Sequence, residues 1–487
     1  MKIQLKNPAV LQELVLNDCK NIGLDDFMAV VRFHAKVTFS EEFCEKVRAN
    51  RRLIERFLDE GRIIYGVTTG FGENVRYTIK QEDAKTLQKN IVRSHSCAVG
   101  TPLTEEQARA VMFMTIINLG HGHSGIRLET LELIRDFLNN NLVPFAPGEG
   151  SVGYLGVEAH LVMAYIGEGH VLQNGKKIPS LDAMTEKGLS PAELECKEGL
   201  SMLNGTITVT ALALLASYDS IISMKNLETA GALCFEALRG TTKALDSRIH
   251  NNKQHEEQRA SADNLLRLLE GSEISEAYRD SKVQDAYVMR GMPHIHGAAF
   301  RLVKEAYEVI INEMHSVSDN PEIFETEDGR GEALMCGNFD GSFVGTHADM
   351  ISMAAAIAGN QAERSIDRMV NRNLNDGLPA FLVANPGLNN GFMIPQYTAA
   401  GLPNEIKLLA VPASIDSIPT CAGQEDPVSM AYNASKRAGE AVRKLQYIIA
   451  IDIMVSLQAI DMLKPLRQGK ATAKLHDFIR EKVAFAD

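Results

Sequence analysis

Three long stretches with apolar residues at helical spacing constrain the fold of this chain more than any other feature. The first, GTITVTALALLASYDSIISMKNLETAGALCFEALRG, lies in a region without proline between Pro191 and Pro293, and it predicts one very long helix or two. A second covers roughly residues 345–373, and a third runs from Asp426 to Pro465. Apolar residues surround much of each circumference, which is typical of helices buried from several sides in a large bundle or a helical oligomer core.

The N-terminal two hundred residues differ from these stretches, because glycine-rich runs interrupt them. The runs YGVTTGFGENVR, NLGHGHSGIR and PFAPGEGSVGYLG are typical of turns and loops. No low-complexity linker separates the two parts. We therefore predict an all-α protein in which residues 1–200 form a loop-rich portion with the active-site loops, and residues 201–487 form a long central helix bundle and the C-terminal helices.

Composition and charge narrow the class of protein. The formal net charge of -12 disfavours a nucleic-acid binder, since such proteins cluster Lys and Arg. The N-terminal sequence does not suggest a signal peptide, and the late apolar stretch LQYIIAIDIMVSLQAIDML contains Asp452 and Asp461, which favours a buried helix over a membrane span. Seven cysteines without a CxxC pair suit a reducing compartment. We expect a cytoplasmic protein that binds neither nucleic acid nor membranes.

Several loops carry side chains suited to chemistry. YGVTTGFG places Tyr65 beside a flexible Gly/Thr loop, so its hydroxyl can approach a substrate; a structural turn is the alternative. His95 follows a helix-like stretch, and Asn204 precedes the long helix, where it can equally act as a cap. In CAGQEDPVSM, Glu425 and Asp426 stand near the start of the last long stretch, where carboxylates also favour a helix N-terminus through its dipole.

The run VQDAYVMRGMPHIHG is unusually dense in functional side chains. His294 and His296 suggest a metal, but HxH without a third ligand is a poor zinc pattern, and we predict no metal site. The guanidinium of Arg290 suits a substrate carboxylate, because its planar fork matches two carboxylate oxygens. The alternative is an ion pair with Asp285.

Taken in order, the motifs resemble one family. The succession YGVTTGFG, LQKNIVRSHS, GSVG, KEGLSMLNGT, VQDAYVMR, SDNP, CGNFDG, GFMIPQYTAA and CAGQEDPVSM resembles the histidine ammonia-lyase branch of the aromatic amino acid lyases, from about residue 60 to 465. The resemblance implies a carbon–nitrogen lyase with the helical fold of the fumarase/aspartase-type superfamily. It also implies a homotetramer whose active sites each combine loops from three subunits, with a small molecule as substrate.

The resemblance assigns roles to individual residues. Tyr65, Tyr287 and Glu425 are the expected catalytic residues, with Tyr65 as base or proton relay. Arg290 is expected to hold the substrate carboxylate, and Glu425, with Met393 beside it, to face an imidazole ring. The other expected substrate-binding residues are His95, Asn204, Gln284, Asn338, Phe339 and Gln424.

One departure from the family decides the expected chemistry. Family members read GSVGASGDLAPLAHM, in which Ala-Ser-Gly forms the electrophilic methylidene-imidazolone group, MIO; this chain reads GSVGYLGVEAHLV. With GSVG and Ala159-His160 as anchors, the tripeptide is deleted. Ser151 is the only nearby residue that can lose water, and the amide of the β-branched Val152 behind it would attack poorly. The sequence therefore predicts an enzyme without MIO or any other cofactor.

An enzyme without that electrophile needs a substrate with a good leaving group. A quaternary trimethylammonium is one, and aromatic faces at Tyr65, Phe71, Tyr287 or Phe339 can hold the cation. The family has MIO-lacking relatives that release trimethylamine from ergothioneine. We therefore expect 1,2-elimination of trimethylamine from a histidine betaine, ergothioneine or hercynine. The alternatives are a histidine ammonia-lyase-like enzyme that acts on another amino acid, and an inactive member that serves as a binding or scaffold protein.

Overall fold

Long α-helices make up most of this computed structural model, which describes residues 3–173 and 175–486. The helices are α1 Leu24–Val31, α2 Glu41–Asp59, α3 Ala84–His95, α4 Glu105–Gly120, α5 Leu128–Asn139, α6 Gly156–Tyr165, α7 Ser180–Glu186, α8 Glu198–Leu203, α9 Ile207–Ala237, α10 Ser247–Asn251, α11 Glu256–Leu268, α12 Glu273–Ala277, α13 Tyr287–Arg290, α14 Met292–Met314, α15 Ser342–Val370, α16 Met393–Leu409, α17 Ala431–Asp461 and α18 Lys470–Arg480. The all-α prediction is confirmed.

The core of the protein is a bundle of α9, α14, α15 and α17. Nearly every residue of α9 is buried, as expected for a helix that is apolar around most of its circumference. The first predicted stretch therefore forms one long helix, preceded by the short α8. The chain turns between them at Gly205, which has a φ of +104° and no room for a Cβ, since one would lie 2.5 Å from Ser318 Oγ.

One apolar segment, Glu198–Ala237, is long enough to cross a membrane and has a mean hydropathy of 1.5, but its apolar window is entirely buried inside the protein. A buried core helix explains this hydropathy. The late apolar stretch forms the C-terminal part of α17, where Asp452 is buried.

Within the residues that the structure describes, short strands form four small sheets outside the bundle. Strands β1 and β2 pair in parallel, with Glu13 opposite Lys36, and the other three sheets are antiparallel. The strands are β1 Glu13–Leu16, β2 Lys36–Phe39, β3 Val99–Pro102, β4 Val143–Pro144, β5 Pro147–Glu149, β6 His170–Gln173, β7 Lys176–Pro179, β8 Glu322–Phe324 and β9 Glu332–Leu334. One hydrophobic core contains residues from both sides of residue 200, and a boundary there stays a prediction.

Helix ends from distant parts of the chain meet at one place. Helix α3, the N-terminal end of α6 and the short α8 pack against one another. The turn Gly72–Arg76 lies against the turn Cys421–Gly423. These helix ends and turns surround the largest concentration of predicted site residues.

Candidate active site

A cavity of about 610 Å³ lies where these helix ends and turns meet. A cavity of this size suits a small-molecule ligand. Both apolar and polar side chains line it. Five predicted site residues contribute to its wall, namely Tyr65, His95, Asn204, Phe339 and Glu425.

Tyr65 is held in its loop by its own hydroxyl. The Tyr65 oxygen accepts a hydrogen bond from the Gly72 amide at 2.9 Å, and its ring meets that of Phe71 edge to face at 6.3 Å. Burial raises the pKa of Tyr65, although the Gly72 hydrogen bond opposes the rise. Gly66 lets this loop approach α8 closely, because a Cβ there would lie 2.4 Å from Leu200 Cδ2.

Glu425 lies on the cavity wall and accepts two hydroxyl hydrogen bonds on one oxygen. Tyr154 donates to Oε2 at 3.2 Å, and Thr420 donates to the same atom at 3.1 Å. Because α17 begins only at Ala431, Glu425 lies in the preceding loop, and the structure therefore disfavours the helix-dipole alternative.

His95 and Asn204 occupy the ends of α3 and α8. His95 Nδ1 lies 3.0 Å from Ser94 Oγ, and burial lowers the pKa of His95, which favours a neutral ring at pH 7. Asn204 Nδ2 donates to Asp319 Oδ1 at 3.2 Å. Asp319 in turn pairs with the fully buried Lys197. This ion pair fixes the carboxylate to which the Asn204 amide donates.

The remaining predicted site residues do not line this cavity of a single chain. Gln284 and Arg290 are exposed, as is Tyr287 at 65%. The guanidinium of Arg290 lies over the Tyr287 ring at 5.2 Å. Asp285 accepts instead from the Thr241 amide and lies 3.6 Å from Lys282, so the predicted alternative of an Arg290–Asp285 pair is not what the structure shows.

Three further predicted residues also lie outside the cavity. Asn338 Nδ2 donates to Glu322 Oε1 at 2.6 Å. Met393 begins α16 and is partly buried, and Gln424 is exposed. Their roles stay predictions.

Tyr154, Leu155 and Thr420 are among the cavity-lining residues to which the sequence patterns gave no role in the site. The available signal was the position of Tyr154 directly after GSVG, at the point where the chain departs from the family. Within the described residues, no three His, Cys, Asp or Glu side chains form a group that could hold a metal ion. His296 is buried beside Glu228, at 3.9 Å.

The fold, the site and the relatives described next together identify the chain as a carbon–nitrogen lyase. A family model described as "Aromatic amino acid lyase" matches residues 22–481, and the chain belongs to that family. The histidine ammonia-lyase of Caldanaerobacter subterraneus subsp. tengcongensis is 39% identical over 472 residues, which is 96% of this chain and 92% of the relative. The crystal structure of histidine ammonia-lyase from Trypanosoma cruzi is 35% identical, with a TM-score of 0.89, and the match covers 96% of this chain and 89% of that one.

These relatives correct the predicted reaction. Trimethylamine elimination from a histidine betaine is the wrong assignment, because relatives 39–40% identical over most of the chain are histidine ammonia-lyases. Ergothionase from Treponema denticola has a similar fold, with a TM-score of 0.88 over 97% of this chain and 95% of that one, but is only 26% identical. The alternative of a histidine ammonia-lyase-like enzyme is the better supported.

The predicted absence of any cofactor is contradicted by the same relatives, since this family normally uses MIO. That prediction rested on a single deletion, the loss of Ala-Ser-Gly. The structure shows whether the residues at this position fit the MIO group. At the N-terminal end of α6, the Gly156 amide donates to the Tyr154 carbonyl at 3.0 Å, and Leu155 has a φ of 73°. In a turn this tight, the amide nitrogen lies close enough to the carbonyl to attack it.

The backbone of this turn suits ring closure, but its side chains do not fit MIO. The central residue is Leu155, whose β-carbon carries no hydroxyl to lose as water. A ring closed here would therefore lack the methylidene carbon that makes MIO an electrophile.

Proposed function

We propose that this protein is a carbon–nitrogen lyase of the histidine ammonia-lyase type that acts on histidine or a closely related imidazole amino acid. The observation that carries the proposal is the placement of the Glu425 carboxylate and the Tyr65 phenol on one cavity, in a chain 39% identical to a histidine ammonia-lyase. A carboxylate among apolar and aromatic residues suits a ring that presents an N–H group.

Elimination requires a base, a polarised ring and a departing amine. Tyr65 takes the proton from the β-carbon as its phenolate, and the Gly72 amide at 2.9 Å stabilises the charged oxygen. Glu425 accepts a hydrogen bond from the imidazole and fixes the ring against Phe339. The substrate amine leaves from its ammonium form: the electrons of the broken C–H bond form the new double bond, and those of the C–N bond leave with neutral ammonia. The product is the α,β-unsaturated acid, which is urocanate when the substrate is histidine.

The substrate carboxylate needs a cation that the described cavity wall lacks. We infer that Arg290, with Tyr287 and Gln284, reaches the cavity from a neighbouring copy of the chain. Their exposure in the single chain supports this arrangement, as does the full exposure of the apolar Val283 beside them. The assembly proposed is the homotetramer, working in the cytoplasm.

The test is ammonia release from a panel of L-histidine, L-phenylalanine and L-tyrosine by purified protein. We expect release from histidine and little from the other two, because phenylalanine offers Glu425 no donor and the tyrosine hydroxyl extends further from the ring than an imidazole N–H. Ammonia release from phenylalanine or tyrosine at the rate seen with histidine would overturn the assigned substrate, and release from none would overturn the assigned reaction.

A second candidate is a member of the family that binds its ligand without turning it over. Leu155 in the turn at the head of α6 favours it, since this residue cannot supply the family's electrophile. Isothermal titration with L-histidine separates the two candidates. Saturable binding without ammonia release supports a binding protein, and binding with release supports the lyase.

A further inference from the structure

Tyr154 stands at the point where this chain departs from the family's sequence pattern. It directly follows GSVG, and its side chain is 6% exposed on the cavity wall. Its ring packs edge to face on Phe339, with centroids 5.4 Å apart and planes at 77°. Packing on this ring leaves the phenol few alternative positions.

The Tyr154 hydroxyl donates to Glu425. Its oxygen lies 3.2 Å from Glu425 Oε2. Burial, reinforced by the nearby Glu425 charge, raises the pKa of Tyr154, so the phenol remains protonated and can serve only this acceptor with its one proton. A hydrogen bond from a neutral phenol to a carboxylate is charge-assisted.

The second donor to Glu425, Thr420, has two acceptors within reach of its hydroxyl. Thr420 Oγ1 lies 3.1 Å from Oε2 but also 3.4 Å from the Glu425 main-chain oxygen, and a hydroxyl has a single proton to share. The Thr420 amide fixes the main chain of Glu425 through a 2.7 Å hydrogen bond. Thr420 therefore holds the backbone, and Tyr154 holds the carboxylate.

Both hydroxyls meet at Oε2, which leaves Glu425 Oε1 without a hydrogen bond to any part of the chain that the structure describes. We propose that Tyr154 is a specificity-determining positioning residue: it fixes the Glu425 carboxylate so that Oε1 accepts the N–H of an imidazole ring. The inference rests on the proposed function, because it concerns the substrate of that same site. It accounts for selection between an imidazole and a phenyl ring, since a phenyl ring leaves a fixed carboxylate unpaired.

The test is Tyr154→Phe, which keeps the ring on Phe339 and removes only the hydroxyl. We expect KM for L-histidine to rise about tenfold, as expected for the loss of one hydrogen bond to a charged group, with a smaller change in kcat. Tyr432→Phe is the matched control, because Tyr432 is fully buried, donates to the Gly148 carbonyl at 2.8 Å and lies outside the cavity. Its KM should stay at the wild-type value.

A double-variant cycle shows whether Tyr154 acts through Glu425. In a Glu425→Gln background, Tyr154→Phe should change KM by less than twofold, because the partner that it positions is already altered. An additive effect would assign Tyr154 a role independent of Glu425 and overturn the proposal.

Crystal structures of wild type and Tyr154→Phe separate this inference from the proposed function. We expect the Glu425 carboxylate to shift from its wild-type position in the variant. If the wild type does not turn over histidine, the proposed function fails, while a displaced Glu425 still supports the role of Tyr154. An unmoved Glu425 overturns the role of Tyr154 whatever the substrate.

Discussion

Lys197 and Asp319 form an ion pair of 2.6 Å in which neither side chain has any exposure to solvent. The pair lies directly behind the candidate site, because Asp319 Oδ1 also accepts from Asn204 Nδ2 at 3.2 Å. Lys197 additionally donates to Ser201 Oγ at 3.1 Å. A buried pair of this kind orients the groups bound to it more than it stabilises the fold.

Lys197→Met should destabilise the protein by about 3 kcal/mol or more, because it leaves the Asp319 charge buried without its partner. Urea unfolding at fixed protein concentration measures this change. The control is Lys197→Met combined with Asp319→Asn, which removes both charges and should unfold at a higher urea concentration than the single variant. A single variant as stable as the double one would contradict the account.

Glu158→Gln should stabilise the protein in alkaline but not in acidic solution. Glu158 is 2% exposed in the first turn of α6, and burial raises its pKa from 4.5 to about 7. The folded state therefore holds the proton more tightly than the unfolded state, and this group's contribution to stability falls as pH rises from about 4.5 to about 7. Glutamine is neutral throughout.

Thermal unfolding of wild type and Glu158→Gln at pH 5 and pH 8 measures the difference. The advantage of the variant should approach about 3 kcal/mol at pH 8, at ~1.4 kcal/mol per pKa unit, and be small at pH 5. The same advantage at both pH values would show that the carboxyl does not titrate in this range.

The rate should increase with pH across the neutral and mildly alkaline range. Tyr65 must lose its proton to act as base, and burial raises its pKa, so the active phenolate fraction grows as pH rises toward that pKa. The kcat/KM for L-histidine between pH 7 and pH 9.5 reports this. A flat profile over that range would exclude Tyr65 as the group whose ionisation limits the rate.

Mixing two inactive variants should restore activity if each site combines several subunits. Tyr65→Phe removes the base from one chain, and Arg290→Ala removes the carboxylate clamp from another. Random mixing of the two variants by co-expression, in the proposed tetramer, leaves about a quarter of the sites with both groups intact. Ammonia release well above that of either variant alone would confirm shared sites, and no gain would place Tyr65 and Arg290 in the same chain's site or in none.

Local patterns predicted much of the fold, because the periodicity of a helix can be recognised from residues that are close together in the sequence. The three long stretches became α9, α15 and α17, each within a few residues of the expected bounds. Helix α14 was not predicted, since Pro293 and the polar HIHG run interrupt the pattern at its start. Pro293 lies in the first turn of that helix, where proline needs no amide partner.

The site was harder to predict, because its contacts join distant residues. Tyr65, His95, Asn204, Phe339 and Glu425 line one cavity, but the Tyr154–Glu425 contact spans 271 positions. The change after GSVG was interpreted as the loss of Ala-Ser-Gly, and Tyr154, which stands there, was given no role. The assigned reaction failed for a related reason, since it derived a substrate from one local change in a chain that otherwise follows its ammonia-lyase relatives.

The most direct test of the central claim is the formation of urocanate from L-histidine, followed by its ultraviolet absorbance, with wild type and Tyr65→Phe at equal concentrations of folded protein. The account predicts steady product formation by the wild type and a loss of about 100-fold or more in the variant, which keeps the ring but has no base. Urocanate formation at the same rate by both proteins, or by neither, would contradict it.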